Sequence, residues 1–251
     1  MNLNEIIIQL LSIPAILIAL TVHEYSHGYA AWKLGDPTAR SLGRLSLNPL
    51  RHLDPIGALM MLFVGFGWAK PVPVNPRYFK YPRKGMALTS LAGPASNIIL
   101  AVLSAFLSIC TYKLSLSMME SLQTNRFVFL FFQYLLLFLQ VFHILNLSLA
   151  MFNLIPLPPL DGFNILALFL PYRWHRYALE HERKISLFFM IWLLLGSRVA
   201  KTLLGIEAIA SSGILRFLVK CLSITGWLGE AVQFISDAIF TLFGLIPFLS
   251  I

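Results

Sequence analysis

The chain has 251 residues, of which 58% are hydrophobic and only 12% are charged, and its mean hydropathy is +0.77. Soluble domains usually carry about 25% charged residues, so this composition argues against a soluble enzyme and indicates a membrane protein. The formal net charge is +8, but no basic stretch is interleaved with stacking aromatic residues, which argues against nucleic acid as a partner. We predict an all-α polytopic membrane protein, a helical bundle of about 4–6 spans.

The first predicted element is a membrane-spanning helix near residues 6–29. Its apolar run, from Ile6 to Val22, carries no charge, and such a run is typical of a span. The N-terminal residues lack the basic stretch of a signal peptide, and no small-residue cleavage site follows the run. We therefore expect the run to remain in the protein as a span.

The segment 35–84 has a different composition. It contains seven prolines and two acidic residues, and the prolines and glycines exclude a long helix. We predict a small membrane-associated β or re-entrant element here, between the first and second spans. The apolar run Ile56–Trp68 is too short for a span, and Val72–Pro76 should be an extended edge strand, because its prolines forbid an interior position in a sheet.

Two further apolar stretches are long enough to cross a membrane, and they predict spans near residues 86–112 and 127–152. We expect residues 1–184 to form the core of the protein. Residues 185–251 should add C-terminal apolar helices.

The C-terminal part is less regular in its pattern. Arg173–Lys184 is predicted to be a charged, solvated loop that contains His175 and His181. The run Ile185–Ser197 would cross a membrane only if the basic residues beside it reached the headgroups. The apolar tail from Cys221 to Ile251 is compatible with either an interfacial helix or a span.

The basic residues set the predicted topology. Nine of the 19 basic residues lie between Lys33 and Lys84, so the positive-inside rule puts this segment in the cytoplasm and the N-terminus outside. Spans one and three then both end at the cytoplasmic leaflet, at the same depth. We expect Arg44 and Arg51 to lie at the lipid headgroups.

Several isolated residues receive structural interpretations. Cys110 and Cys221 are far apart in apolar sequence, so we expect buried thiols and neither a disulfide nor a metal site. His143, inside the third span, is expected to pack within the bundle. His52 with Asp54 is expected to fix a loop, with a supporting role at a metal site as the alternative.

Span one ends in the sequence His23-Glu24-Tyr25-Ser26-His27. Two histidines four residues apart lie one turn apart on the same face of a helix, so both can bind one metal ion. Glu24 can then act as a general base on water that the metal activates. Ionisable residues are costly at membrane depth, which favours a functional interpretation. The alternative is a solvated helix end that carries these residues by chance.

Asp161 is the candidate for a third ligand, because zinc in a hydrolase usually takes three from the protein. It is the only acidic residue between Glu120 and Glu180, and it follows span three at the depth expected for the histidines. Three prolines within 156–159 break the helix just before it, and Gly162 lets the chain turn close to a metal. The alternative is that Asp161 caps the N-terminus of a following helix.

These motifs and four others resemble the site-2 protease family of intramembrane zinc metalloproteases, in its short bacterial form without PDZ or CBS domains. The resemblance covers roughly residues 5–170. The other motifs are Asn153…Leu160-Asp161-Gly162, Gly93-Pro94-Ala95-Ser96-Asn97 and the segments 43–57 and 67–76.

The resemblance implies one Zn²⁺ per chain, bound by His23, His27 and Asp161, with Glu24 as the catalytic base. It implies hydrolysis of peptide bonds within or near the transmembrane segments of a membrane-protein substrate. It also implies a lipid bilayer as the environment, in a bacterial plasma membrane. The positive-inside rule puts the active site toward the cytoplasm.

Some polar residues are candidates for substrate contacts. Asn97, inside span two, could donate to the substrate carbonyl or its oxyanion, or it could form an interhelical hydrogen bond beside a close-packing glycine. Asn153 is a second candidate donor. Val72, Val74 and Asn75 are candidates for a strand that pairs with an unwound substrate by β-addition.

Two other functions are open at this stage. A metal transporter would use the same residues as a transit site, but its ligands should follow a pathway and often occur in paired repeats. A catalytically inactive relative would bind membrane helices without cutting them. The presence of Glu24 argues for an active enzyme.

Overall fold

The computed structural model describes residues 3–57, 69–118, 123–204 and 224–243 of the chain. Its helices are α1 (Leu3–Lys33), α2 (Thr38–Ser41), α3 (Pro82–Ser117), α4 (Arg126–Asn153), α5 (Asp161–Leu166), α6 (Tyr172–Glu180), α7 (Glu182–Leu204) and α8 (Ile224–Leu242). Short 3-10 turns occupy Pro49–Arg51 and Pro76–Tyr78. Within these described ranges, β-type pairing is limited to one antiparallel bridge, between Leu53 and Ala69. The prediction of an all-α fold is confirmed.

Three helices, α1, α3 and α4, are long and apolar enough to cross a membrane. The candidate spans are Glu5–Lys33, Pro82–Ser117 and Arg126–Asn153, which confirms the three predicted spans and extends each by a few residues. Large apolar side chains lie exposed on these helices, such as Leu10 and Ile99, as expected for surfaces that face lipid tails. The larger total of about 4–6 spans stays a prediction.

Small residues let the spans approach one another closely. Ala15 and Ala19 of α1 are buried against Phe142 of α4, and Ala101 and Ala105 of α3 are also buried. Close approach of helix axes permits the van der Waals and polar contacts that hold helices together in lipid. Because α3 packs against both α1 and α4, it can contribute polar residues to a site that the other two helices share.

The chain after α1 folds back along that helix. It turns at Gly35, whose φ of 107° favours glycine. Asp36 follows and is fully buried. Its carboxylate accepts hydrogen bonds from the backbone N–H of Thr38 at 3.0 Å and from that of Asn75 at 2.7 Å. These bonds hold the extended segment 70–75 beside α1.

The predicted edge strand at Val72–Pro76 is wrong for the described part of the chain. The segment is extended, but no strand pairs with it there. Two of its N–H groups bond to side-chain carboxylates instead. The re-entrant run predicted at Ile56–Trp68 falls mostly on residues 58–68, which lie outside the described residues.

The last described helix, α8, packs against the core formed by α3 and α4. Val232 lies in a buried cluster with Leu147 of α4. His143 of α4 donates from Nδ1 to the backbone oxygen of Ala101 at 2.8 Å, and its Nε2 accepts from the hydroxyl of Ser236 at 3.0 Å. The packing role predicted for His143 is confirmed. The predicted division at residue 184 stays a prediction.

The predicted loop at Arg173–Lys184 is wrong, since these residues form α6 and the start of α7. Arg176 and Glu180 form an ion pair at 2.8 Å, four residues apart. Such contacts arise at helical spacing and support a helix. The run Ile185–Ser197 lies within α7, and α7 is not among the candidate spans of the described residues.

The thiol of Cys110 is exposed, which corrects the prediction that it is buried. It lies on α3 one turn from Phe106 and two turns from Leu103, and both of those side chains are exposed as well. This face of α3 is turned away from the bundle, so an apolar position in the sequence is not a core position here. Cys221 lies outside the described residues.

Candidate metal centre and active site

The two histidines of the predicted metal site lie on one face of α1. His23 is buried and His27 is half-buried, and their ring centroids are 4.5 Å apart. Asp161 is the first residue of α5. The proline-containing stretch 154–160 ends α4 and leads into α5, and this change of direction brings Asp161 to the histidines.

Three possible ligand atoms converge on one point. Nε2 of His23 lies 3.0 Å from Nε2 of His27. Oδ2 of Asp161 lies 3.3 Å from the first nitrogen and 3.2 Å from the second. A tetrahedral zinc ion with bonds of about 2.0–2.1 Å places its ligand atoms roughly 3.3 Å apart. The triangle therefore has the size that zinc requires.

The bonds of the other ring nitrogens show that both Nε2 atoms carry lone pairs. Nδ1 of His27 donates to the backbone oxygen of Thr89 at 2.8 Å, and Nδ1 of His23 donates to Oδ1 of Asn97 at 2.6 Å. A neutral imidazole has one N–H, so Nε2 is then an acceptor. Oδ2 of Asp161 is buried and has no hydrogen-bond donor among the described residues. Three electron pairs facing one another are unfavourable without a cation, so these residues fit a zinc ion.

A glycine on α3 makes room for the two imidazoles. A Cβ atom at Gly93 would overlap rings of both His23 and His27. Only glycine therefore permits this approach of α3 to α1, which explains the first residue of the Gly93–Asn97 motif.

Asn97 is fully buried and connects the three spans. Its Oδ1 accepts from His23, and its Nδ2 donates to the backbone oxygen of Ala19 at 3.3 Å and to Oδ1 of Asn146 at 2.8 Å. Asn146 is also fully buried and donates to the backbone oxygen of Phe142 at 2.8 Å. Both amide hydrogens of Asn97 are thus used. In this conformation Asn97 supports His23 and has no hydrogen for a substrate carbonyl.

Two polar contacts hold α5 and the turn after it against α3. Nη2 of Arg83 donates to the backbone oxygens of Ala167 and Leu170, the latter at 2.7 Å. Asn164 donates from Nδ2 to the hydroxyl of Ser90 at 2.9 Å. Because α5 begins with Asp161, these contacts also fix where that carboxylate lies.

The alternative interpretation of Asp161 as a helix cap is wrong. The N-cap of α5 is Leu160, and no side chain caps this end. Burial alone would raise the pKa of the Asp161 carboxyl, but the imidazoles of His23 and His27, when they are protonated in the absence of a metal, lower it to about 2 by hydrogen bonding and by their charge. The group is therefore an ionised carboxylate at neutral pH, as a metal ligand has to be.

Glu24 is half-buried and follows His23 on α1. Its Oε2 accepts the backbone N–H of Val72 at 2.8 Å. The two segments meet closely, since a Cβ at Gly28 would lie 3.1 Å from Cγ1 of Val72. The extended segment thus fixes one carboxylate oxygen of Glu24 and leaves the other for a proton.

The other predicted site residues form bonds elsewhere. Asn153, the last residue of α4, donates to the backbone oxygen of Leu149 at 3.0 Å. Asn75 caps the following 3-10 turn by accepting from the backbone N–H of Arg77 at 3.1 Å. Val74, beside it, is half-buried.

Sequence reasoning missed two residues that support the site, Asn146 and Arg83. An asparagine inside an apolar span is costly in lipid, and that signal could have identified Asn146. Arg83 stands at the start of a span, where basic residues are ordinary topology signals. Nothing in the sequence distinguishes it from its neighbours.

Comparison with known proteins gives matches over most of the chain. The model of peptidase family M50 matches residues 11–197. YwhC of Bacillus subtilis, named as a candidate zinc metalloprotease, is 45% identical over 151 residues, which are 60% of this chain and 65% of that protein. Rip2 of Mycobacterium tuberculosis H37Rv, named in the same way, is 30% identical over 185 residues, which are 71% of this chain and 64% of that protein. No solved structure matches the chain.

The chain thus spans just under two thirds of the length of these two relatives. The family match covers more than half of the chain and includes His23, His27 and Asp161. It bears out the resemblance drawn from the motifs. The chain belongs to peptidase family M50, the site-2 protease family.

Proposed function

We propose that the protein is an intramembrane zinc metalloprotease, which hydrolyses peptide bonds within or near the transmembrane segments of membrane-protein substrates. The observation that carries this proposal is the convergence of His23 Nε2, His27 Nε2 and Asp161 Oδ2 to within 3.3 Å of one another. Two imidazoles and a carboxylate are a ligand set of zinc hydrolases. The apolar helices around the site fit a substrate that also lies in the membrane.

Glu24 is the proposed general base. Zinc, when bound, supplies Lewis acidity, which polarises a carbonyl oxygen and makes water a stronger nucleophile near neutral pH. Glu24 takes the proton of the attacking water and passes it to the leaving nitrogen. Since Val72 holds Oε2, Oε1 is the atom that carries the proton.

A substrate helix has to unwind first, because its peptide groups are bonded to one another. We infer that the unwound segment pairs with the extended residues Val72, Val74 and Asn75 by β-addition. Glu24 and Asp36 already occupy two of the backbone N–H groups. The N–H of Val74 has no partner among the described residues, so it is the donor for the substrate.

This pairing can be tested at one atom. Val74→Pro removes the N–H, and Val74→Ala keeps it while shortening the side chain. We expect the proline variant to lose cleavage and keep zinc, and the alanine variant to keep both. Equal activity of the two variants would contradict the pairing.

Asn153 is the better of the two asparagines proposed as donors to the substrate carbonyl. One of its amide hydrogens goes to Leu149, and the second has no partner among the described residues. Asn97, by contrast, uses both hydrogens within the protein.

We further propose a bacterial plasma membrane as the location, with the N-terminus outside and the metal centre toward the cytoplasm. The basic segment from Lys33 to Lys84 supports this orientation. Lys33 and Arg40 also lie over the ring of Trp32, at 5.0 and 4.9 Å from its centroid. Aromatic and basic residues at the end of a span are typical of a membrane interface.

The experiment that tests the proposal compares the wild type with Glu24→Gln in zinc content and in cleavage of a panel of single-span model substrates. Glutamine keeps an oxygen for the N–H of Val72, so the site should stay folded. We expect both proteins to hold about one zinc per chain and the variant to cut at least roughly 100-fold more slowly.

Each other outcome has a definite meaning. If the variant cuts as fast as the wild type, Glu24 is not the base. If both proteins hold zinc and neither cuts any substrate, an inactive binder of membrane helices replaces the protease. If neither protein holds zinc, the ligand set is wrong.

A further inference from the structure

A basic cleft lies outside the metal centre, in the loop that follows α2. Its volume is about 590 Å³. Three cationic side chains line it, those of Arg44, Arg51 and Lys70, together with Leu42 and Leu50. We propose that this cleft binds the phosphate headgroup of an anionic phospholipid. The proposal is independent of the protease activity.

Backbone oxygens hold the two guanidinium groups, and a backbone bond holds the main chain of Lys70. Nη2 of Arg44 donates to the backbone oxygen of Lys70 at 2.7 Å, and Arg51 donates from Nη1 to the backbone oxygen of Gly43. The backbone N–H of Lys70 donates to the oxygen of His52 at 2.8 Å. Each guanidinium has five N–H donors, so donors remain for a ligand. A planar guanidinium suits the geometry of a phosphate.

The positive charge of the cleft is not balanced within the described part of the chain. None of the three cationic groups forms an ion pair with a carboxylate there. Asp54, the acidic residue nearest in sequence, accepts the backbone N–H groups of Ile56 and Gly57 instead. Like charges that share a cleft repel one another, and a bound anion removes this repulsion.

The apolar side chains around the cleft favour a lipid over a soluble phosphate. Leu42 and Leu50, which line the cleft, are 63% and 75% exposed. Exposed aliphatic side chains in a basic cleft are what a surface at the boundary of headgroups and acyl chains requires. The cleft also belongs to the loop that follows the end of α1, where a membrane-spanning helix leaves the bilayer.

The test measures lipid retention by native mass spectrometry. The whole chain, purified in detergent, is titrated with phosphatidylglycerol or with phosphatidylcholine of the same acyl chains. We expect preferential retention of phosphatidylglycerol, weakened about fivefold for each cationic side chain removed in Arg44→Gln/Arg51→Gln/Lys70→Gln. The matched control is Arg173→Gln/Arg183→Gln/Lys184→Gln, which removes the same charge elsewhere and should retain phosphatidylglycerol as the wild type does.

A second variant separates binding from folding, because Arg44 and Arg51 also hold the loop together. Lys70→Gln leaves the backbone bonds of residue 70 in place and should alone weaken retention about fivefold. Equal retention of the two lipids, or an equal loss in the control variant, would overturn the proposal. Inorganic phosphate is the third probe. If it binds the wild type as tightly as phosphatidylglycerol does, the ligand is a soluble phosphate and not a lipid.

Discussion

Oδ1 of Asn97 lies 2.6 Å from Nδ1 of His23, so one hydrogen bond connects the middle of the second span with the metal-binding face of the first. The bond determines which ring nitrogen carries the hydrogen, and it leaves Nε2 for a metal. Bonds of this kind also orient the ring and raise the basicity of the ligand. Asn97 therefore acts on zinc through His23.

Replacing Asn97 by leucine should weaken zinc binding about 10–100-fold, measured by competition with a chelator. Asn97→Asp keeps an acceptor for Nδ1 of His23 and should lose less zinc affinity than the leucine variant. Ser104→Ala is the control, because Ser104 is buried on the same helix and its hydroxyl donates to the backbone oxygen of Ala101. A loss in the control equal to that in the leucine variant would show that general packing, and not this bond, sets the affinity.

Asn146→Leu should weaken zinc binding less than Asn97→Leu does, since Asn146 reaches His23 only through Asn97. The double variant should bind zinc about as weakly as Asn97→Leu alone, because residues of one network are not additive. Chelator competition on the wild type, the two single variants and the double variant gives the coupling free energy between Asn97 and Asn146. Strictly additive losses would contradict a shared network.

Gly93→Ala should abolish stoichiometric zinc binding, because the added methyl group overlaps both imidazoles. Metal content after purification in detergent measures this directly. Gly229→Ala is the matched control, since no other element in the described part of the chain has a heavy atom within 4 Å of a Cβ at that position, and it should bind zinc as the wild type does. Full zinc occupancy in Gly93→Ala would mean that α3 does not approach α1 as described.

Arg83→Gln should weaken zinc binding about tenfold, because the turn after α5 loses the donor to Ala167 and Leu170. The loss should appear as a faster release of zinc to a chelator. Lys84→Gln removes the same charge at an exposed neighbouring position and should have no effect. Equal rates of zinc release from the two variants would mean that Arg83 does not support the metal site.

The three spans could be predicted because long apolar runs without charge depend on the local sequence alone. The meeting of Asp161 with the histidines could also be predicted, since two spans that run in the same direction end at the same leaflet. The hydrogen-bond partner of Asn97 could not be predicted. Its choice depends on how α3 is rotated about its axis, which is set by the packing of small residues such as Gly93 and Ala101.

The extended segment at Val72–Pro76 shows a second limit. Its prolines correctly indicated an extended chain, but the acceptors of its N–H groups lie far away in sequence. Glu24 and Asp36 are 48 and 39 residues from their partners Val72 and Asn75. A carboxylate that the fold brings close can accept a backbone N–H group in place of a neighbouring strand. The local sequence pattern does not predict such a contact.

The claim that His23, His27 and Asp161 form one zinc site is tested most directly by measuring the zinc bound per chain in three proteins. These are the wild type, Asp161→Ala and His181→Ala, in which the altered histidine lies at the end of α6. The prediction is about one zinc per chain in the wild type and in His181→Ala, with two nitrogen ligands and oxygen by X-ray absorption, and little zinc in Asp161→Ala. Full zinc occupancy in Asp161→Ala with an unchanged absorption spectrum would contradict the three-ligand site.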